Sequence, residues 1–239
     1  MEITLPRLKM ALMGQLSKNE IVANNLANMD TNGYKKDIIF FEHLKKNMDK
    51  TDSGAQQSVY FKQGPLKQTK NPFDFALSGR GFFTVETANG IAYTREGHFK
   101  VDEDGILRTV RNEPVMGASG WISVVLDDNI TPEKITVTKD GEIFADGKYL
   151  DKLQITDFED IGKLVKKGNN MFVVQGDAGA FDVEEPNVQQ GFLEGSNVNP
   201  AEEMIQLIEV QRQFESAQKM VQSMDSIFRT AVNRIAEYK

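Results

Sequence analysis

Residues 199–239 read NPAEEMIQLIEVQRQFESAQKMVQSMDSIFRTAVNRIAEYK and decide the predicted fold, because their apolar residues recur at alternating intervals of three and four. This alternation is that of the a and d positions of a coiled coil. Asn199 is a suitable helix cap and Pro200 suits the first helical position. A long amphipathic helix is stable only when another surface covers its apolar side, so this helix needs a partner. The residues of this row, called the seam below, are Leu207, Val210, Phe214, Ala217, Val221, Met224, Phe228, Ala231 and Ile235.

A second helix is predicted over residues 5–28 by the same alternation, with Leu12 and Leu26 in its apolar row. Gln15 and Asn19 interrupt that row, and polar residues at such positions cost stability but can fix register and partner choice. Two helices with matching rows at opposite ends of one chain favour pairing with each other. We therefore predict an α+β fold with long N- and C-terminal helices pairing as a coiled coil, and a central all-β domain.

The middle of the chain is typical of β structure, because short apolar runs alternate with turn sequences. Dipeptides such as Asn89-Gly90 and Asp146-Gly147 favour tight hairpins. Several strands at this spacing suggest a barrel-like or sandwich domain. The predicted organisation is an N-terminal helix with a signature turn over residues 1–34, an extended linker over 35–72, the β domain over 73–190 and the C-terminal helix over 191–239.

Composition excludes several classes of function. The net charge of −7 and the pI near 5.0 provide no basic footprint for nucleic acid. No apolar run approaches the roughly 18 residues that a membrane span requires, so we expect no membrane insertion. Charged residues interrupt the first apolar stretch, so we expect no cleaved signal peptide. The absence of cysteine excludes disulfides and thiolate metal sites.

Enzyme chemistry has little support in the sequence. The two histidines, His43 and His98, stand in no metal-ligand spacing and near no nucleophile motif. The sequence Gly79-Arg80-Gly81 lacks the third glycine of a dinucleotide-binding loop. A carboxylate pair for glycoside cleavage stays open, because only the separation of the two groups in space decides it. We therefore expect a protein that is not an enzyme and that has no catalytic, cofactor or metal site.

Both ends of the chain carry short contiguous motifs. The N-terminal motif is ANNLAN at residues 23–28, followed by TNGYK at 31–35. The C-terminal motif is LEGSNVN at 193–199, which leads into QRQFE at 211–215. Together these motifs are specific and resemble the terminal signatures of the bacterial flagellar rod and hook proteins, so the chain is identified as a member of that family.

The first half of the middle extends the resemblance, through GRGFF at residues 79–83 and YTREGHF at 93–99. The likeness weakens from about residue 121 to 188. The chain resembles the proximal rod proteins most, because of the LEGSNV motif, the PVMG motif at 114–117 and the short insertion after the N-terminal helix. The distal rod and hook-type proteins are the near alternative.

The resemblance implies a structural axial subunit of the flagellar basal-body rod, which spans the periplasm and transmits torque. It implies that the chain is exported unfolded through the flagellar export apparatus, without cleavage of a signal peptide, and polymerises through its terminal helices. The implied partners are other flagellar rod proteins and further copies of the chain itself. Because isolated amphipathic helices are marginal in water, folding of the two ends would accompany assembly.

The resemblance also assigns a subunit interface. For its asparagines two interpretations stay open: they end the helix, since Asn competes for backbone hydrogen bonds, or they bond to neighbouring subunits. The predicted interface residues are Leu12, Asn24, Asn25, Leu26, Asn28, Gly33, Tyr34, Asn197, Leu207, Val210, Phe214, Ala217, Val221, Met224 and Phe228.

A second class of function remains as an alternative, a secreted or cytosolic all-β enzyme or ligand-binding domain with helical appendages. The apolar periodicity at both termini counts against it. Truncation of both ends discriminates the two classes, because an enzyme would keep its activity whereas an axial protein would lose assembly.

Overall fold

The computed structural model of the chain describes residues 5–41, 55–124 and 135–237. The chain forms two compact units, and each unit is built from segments that are far apart in the sequence. The first unit comprises Met1–Ala27, Asp37–Ser58 and Asn199–Lys239, and the second comprises Asn28–Lys36 and Val59–Val198.

The first unit contains two α-helices, α1 (Leu5–Ala27) and α2 (Pro200–Glu237), which contact each other. It also contains the two-stranded sheet of β1 (Asp37–Phe41) and β2 (Ala55–Val59). The Asn199 side chain caps α2 by accepting a hydrogen bond from the Ala201 N–H at 3.2 Å, as the sequence predicts. At about 1.5 Å per residue, α2 is about 57 Å long and α1 about 35 Å.

The predicted fold class is wrong, and the structure corrects it. The described residues form two α-helices and nineteen strands. The paired strands are antiparallel, so the chain is mainly antiparallel β structure. The helices do not form the predicted coiled coil, because the seam is not buried along its length. Val210 is 1 % exposed, but Val221 is 38 % exposed. The alternation shows which residues are apolar, but it does not show which surface covers them. In addition, α1 is shorter than α2 and cannot cover it along its whole length. The predicted central β domain fits.

The second unit is a set of antiparallel sheets, the largest of which has six strands in the order β15-β16-β6-β5-β14-β17. Two smaller pairings, β3 with β19 and β4 with β18, join sequence segments more than a hundred residues apart. A short 3-10 helix (Ile161–Lys163) precedes β15. The strands of this unit are β3 (Leu66–Gln68), β4 (Phe75–Leu77), β5 (Phe82–Thr87), β6 (Gly90–Thr94), β7 (Phe99–Val101), β8 (Leu107–Thr109), β9 (Met116–Gly117), β10 (Gly120–Trp121), β11 (Ile135–Val137), β12 (Glu142–Ala145), β13 (Lys148–Lys152), β14 (Ile155–Phe158), β15 (Leu164–Gly168), β16 (Met171–Val174), β17 (Ala180–Asp182), β18 (Val188–Gln190) and β19 (Phe192–Glu194).

The core of the second unit consists of two apolar clusters, and β5 contributes to both. Phe83 and Val85 belong to the larger cluster, whereas Phe82 belongs to the smaller one. This division follows from the alternation of side chains along a strand. Phe82 also packs edge-on against the ring of Phe61, with the ring centres 5.7 Å apart.

The hairpin turns read from the sequence are present. The turn between β12 and β13 has positive φ at both Asp146 (49°) and Gly147 (79°), which a type I′ hairpin turn requires. The hairpin between β5 and β6 turns at Ala88-Asn89, one residue before the predicted Asn89-Gly90, and Gly90 begins β6 with a φ of 106°. Within the described ranges, no helix is both long enough and apolar enough to cross a membrane.

Candidate functional site

Asn25 is the predicted interface residue with the most definite contacts in the first unit. Its side-chain Oδ1 accepts a hydrogen bond from the Asp37 N–H, and its Nδ2 donates to the Asp37 carbonyl, both at 2.9 Å. Nδ2 also lies 3.2 Å from Oε2 of the buried Glu203 on α2. Asn25 is 2 % exposed. Its amide therefore ties α1 to the start of β1 and to α2 within a single chain.

The seam residues lie on the side of α2 that is least exposed to solvent. Val210 is buried, and Val221 is exposed. The side chains of Phe228, Ala231 and Ile235 lie outside the described residues. The other predicted seam members are half-buried: Leu207, Phe214, Ala217 and Met224. From α1 and the turn that follows it, Leu12, Leu26 and Asn28 are half-buried, and Asn24 is exposed.

Glu194 organises a buried charge cluster in the second unit, together with Lys35 and Arg95. The Lys35 ammonium lies 2.5 Å from Glu194 Oε1, and the Arg95 Nη1 lies 3.1 Å from Glu194 Oε2. The Gly64 N–H donates to Oε1 at 2.8 Å, and the Gly33 N–H donates to the Glu194 carbonyl at 2.7 Å. This charge cluster joins segments from the two ends of the chain and from its middle.

In the charge cluster, the pKa of each buried cation depends both on its burial and on the neighbouring carboxylate. Burial lowers the pKa of Lys35 and the pKa of Arg95, and the Glu194 carboxylate opposes both shifts. Lys35 also donates to the Lys62 carbonyl at 2.9 Å, and Arg95 donates to the Gly79 carbonyl at 2.6 Å. The carboxylate is therefore the group that makes burial of two cations tolerable.

Glycines allow the chain segments around the charge cluster to approach closely. A Cβ on Gly64 would lie 2.1 Å from the Gly195 carbonyl oxygen, and a Cβ on Gly33 would lie 2.4 Å from the backbone nitrogen of Glu96. Gly33 also has a φ of +70°, which favours glycine. Gly33, in the N-terminal signature, and Gly64 are thus required by backbone packing.

Two further predicted interface residues lie in the second unit and are used within the chain. The Asn197 side chain accepts from the Lys36 N–H at 2.7 Å and donates to the carbonyls of Tyr60 and Lys62 at 2.7 and 2.9 Å. The Tyr34 ring is buried, and the Lys166 ammonium lies 4.1 Å from its centre. Asn25 in the first unit, and Gly33, Tyr34 and Asn197 in the second, are thus buried or hydrogen-bonded within their own unit.

Sequence reasoning missed the functional roles of Lys35, Arg95 and Glu194, although all three stand inside the quoted motifs. Charged residues are rarely buried, so their residue types alone give no reason to place them in the core. The one local feature that they share is a glycine within two positions, which marks the segments but does not show that the charges are buried.

The arrangement favours a mechanical role over a chemical one. Within the ranges that the structure describes, no group of three or more His, Cys, Asp or Glu residues is placed to hold a metal ion. His98 pairs with the buried Asp74, with Nδ1 and Oδ1 2.6 Å apart, and His43 lies outside the described residues. The charge cluster binds chain segments together.

Comparison with known proteins gives three matching family models. The model described as flagella basal body rod protein matches residues 10–35, and the flagellar hook protein FlgE/F/G D1 domain matches residues 76–145. The flagellar basal body rod FlgEFG protein C-terminal model matches residues 189–234.

Curated relatives match over nearly the whole chain. The flagellar basal-body rod protein FlgF of Caulobacter vibrioides is 32 % identical over 227 residues, which cover 91 % of each protein. FlgF of Mesorhizobium japonicum is 31 % identical, with 92 % of this chain and 93 % of the relative covered. The rod protein FlgG of Buchnera aphidicola is 29 % identical over 252 residues, with 92 % and 94 % covered.

Proposed function

Because the chain belongs to the flagellar basal-body rod protein family, we propose that it is exported unfolded and polymerises through its first unit into the rod. The family makes it a structural subunit of the basal body that assembles with other rod components, and not an enzyme, as the sequence predicted. The predicted resemblance to a proximal rod protein is confirmed at the level of the family, which includes both FlgF and FlgG relatives.

One observation in the first unit supports polymerisation through its surface. Large apolar side chains of α2 are exposed on the subunit, including Ile205 at 66 %, Ile208 at 51 % and Ile227 at 66 %. Exposed apolar groups concentrated on one element are typical of an interaction surface. Burial of such a side chain contributes roughly 1.5–3 kcal/mol. A polymer of copies would supply that burial at every subunit.

The other predicted interface residues fall into two groups under this proposal, exposed residues and buried residues. Asn24 and Val221 are exposed on the first unit, and both belong to the proposed contact with neighbouring subunits. The buried members contribute indirectly, because they hold the chain in the shape that presents α2. The flagellar export apparatus and the other rod proteins are the proposed partners. A distal rod or hook-type position along the axis is the second candidate, because the family model that matches residues 76–145 is described as a flagellar hook protein domain.

The first prediction tests this surface with the double variant Ile205→Asp/Ile208→Asp in the full-length chain. We expect loss of polymerisation and of motility, because each aspartate would have to be desolvated in the contact. The free energy of unfolding of the unassembled chain should change by less than about 0.5 kcal/mol, because both residues are exposed. Sedimentation, basal-body isolation and urea unfolding provide the measurements.

A matched control carries the same change on exposed strand residues of the second unit, Ile91→Asp/Val165→Asp. The control should polymerise and support swimming. Normal basal bodies that contain the Ile205→Asp/Ile208→Asp protein would overturn the proposal.

A further inference from the structure

Sulfur in this chain occurs only as thioethers, because the sequence contains ten methionines and no cysteine. Conversion of a methionine to its sulfoxide turns a flexible apolar side chain into a polar one, which disrupts apolar contacts. An oxidant in solution reaches an exposed thioether more readily than a buried one. The exposure of the methionines therefore decides which part of the molecule an oxidant changes.

Among the methionines whose side chains the structure describes, the exposed ones all lie on the helices of the first unit. They are Met13 on α1, and Met204 and Met220 on α2. We call these three residues the exposed thioethers. The described methionines of the second unit are buried or half-buried: Met29, Met116 and Met171. An oxidant therefore meets the thioethers of the first unit before those of the second.

The exposed thioethers stand beside other exposed apolar residues of their own helices. Met204 precedes Ile208 by four positions, a spacing that brings side chains together on a helix surface. Met220 precedes Ile227 by seven positions, about two turns along the same face. The exposed thioether of α1 precedes the exposed Leu16 by three positions. All three thus belong to the apolar surface of the first unit that polymerisation would cover.

We propose that the exposed thioethers are a site of reversible oxidation that decides whether a free subunit can polymerise. The oxidant is hydrogen peroxide. A lone pair of the thioether sulfur forms a bond to one peroxide oxygen, the O–O bond breaks, and the other oxygen leaves as water with both protons. The sulfur loses two electrons, and the peroxide gains them. Methionine sulfoxide reductases reverse the change with electrons from thiols, and the oxygen then leaves as water.

The sulfoxide oxygen acts on assembly and not on folding. In the free subunit this oxygen stays in contact with water, because the side chain that carries it is exposed. In a polymer it would be covered by apolar side chains of a neighbouring subunit, and loss of its hydration without a compensating donor opposes association. Subunits that are already assembled are protected from the oxidant, because their thioethers are covered.

This inference rests on the proposed function, because it needs the exposed surface of the first unit to be covered in the polymer. It adds a chemical control of that surface. The second unit, whose described methionines are less exposed, keeps its structure when the first unit is oxidised. An oxidised subunit is therefore folded but unable to assemble until a reductase restores its thioethers.

The test is limited treatment of the unassembled full-length chain with hydrogen peroxide, followed by peptide mass spectrometry. We expect sulfoxides at the exposed thioethers before the buried Met171 is oxidised. The urea midpoint should equal that of the untreated chain, because the modified groups are exposed. The concentration needed for polymerisation should rise by about ten- to a hundredfold, the loss expected for a polar group buried without a partner. Methionine sulfoxide reductases with a thiol should restore the original concentration.

A matched pair of variants assigns the effect to these residues. Met13→Leu/Met204→Leu/Met220→Leu keeps apolar side chains of similar volume, so it should polymerise like wild type and continue to do so after peroxide treatment. Met29→Leu/Met116→Leu removes two thioethers of the second unit, and it should lose assembly after peroxide treatment as wild type does. Equal loss of assembly in the two peroxide-treated variants would overturn the assignment to the exposed thioethers.

The outcomes separate this inference from the proposed function. An untreated wild-type chain that does not polymerise, and that is absent from isolated basal bodies, would overturn both. A chain that carries sulfoxides at all three exposed thioethers and polymerises at the untreated concentration would overturn the oxidation site alone. Assembly that is lost on oxidation, is restored by the reductases and is unaffected by peroxide in the triple leucine variant supports both.

Discussion

The two units differ in how completely they satisfy their own buried groups. In the second unit, the Glu194 carboxylate receives Lys35, Arg95 and the Gly64 N–H, and seventeen short strands enclose two apolar clusters. In the first unit, α2 exposes large isoleucines, and Gln15 and Asn19 hold acceptors that no described residue satisfies.

This difference indicates that the second unit is stabilised mainly by contacts within itself, whereas the first unit keeps groups that a neighbouring subunit could cover. Charges buried inside the second unit stabilise it only as a complete set, because each ion is costly without the others. The first unit leaves apolar area on α2 and two acceptors unsatisfied by the described residues. Under the proposed function, assembly would add contacts there, whereas the charge cluster of the second unit has its ion pairs inside the chain, with the Arg95 Nε as its one buried donor that no described residue satisfies.

The largest expected effect comes from Glu194→Ala, which tests whether the second unit depends on its internal charges. The change would leave Lys35 and Arg95 buried without a counter-charge and destabilise the folded chain by about 3–5 kcal/mol. Urea unfolding of the full-length protein measures it. The control Glu185→Ala removes an exposed carboxylate and should cost less than about 0.5 kcal/mol. Similar, small effects of the two changes would break the comparison between the units.

A smaller loss in the free energy of unfolding is expected for Asn25→Ala. This variant tests whether the first unit also contains a buried polar group whose hydrogen bonds are satisfied within the chain. Loss of the amide would leave the buried N–H and carbonyl of Asp37 without their partner, at about 1–3 kcal/mol. The control Gln218→Ala removes an amide from an exposed position of α2 in the same unfolding experiment. If Asn25 instead acts mainly between subunits, the unassembled variant will unfold like wild type and only polymerisation will suffer.

Both helices, the tight turns and the β character of the middle could be predicted from the sequence, because each depends on local chemistry. The cap at Asn199 and the positive φ at Asp146 and Gly147 follow from residues a few positions apart. The family could be recognised because its motifs are short and contiguous. The coiled coil was predicted wrongly for the opposite reason, since the covering of Val221 depends on atoms outside its own helix.

The candidate site could be predicted only in part, because its contacts cross long stretches of sequence. Glu194 meets Lys35 across 159 positions and Arg95 across 99. No local pattern distinguishes a buried charge of this kind from an exposed one. Several residues of the terminal signatures, such as Asn197, form hydrogen bonds inside the chain, and their assignment to a subunit interface stays a prediction.

The smallest expected effect concerns Glu96, a carboxyl in the second unit that is less well satisfied than Glu194. Burial raises the pKa of Glu96 above its ordinary value of 4.5, and a hydrogen bond from Asn170 only partly opposes the shift. A raised pKa means that the folded chain holds this proton more tightly than the unfolded chain. The associated stabilisation is therefore complete below about pH 4.5 and is lost as the pH rises through the folded-state pKa.

Glu96→Gln should consequently stabilise the chain at pH 7, because it keeps an acceptor for Asn170 and removes a partly buried charge. The advantage over wild type should shrink as the pH falls towards 4.5, where Glu96 is already neutral. Urea unfolding at a series of pH values measures this slope, with the exposed Glu185→Gln as control. A constant difference across the range would mean that Glu96 titrates alike in both states, and the second unit would then satisfy this group as fully as it satisfies Glu194.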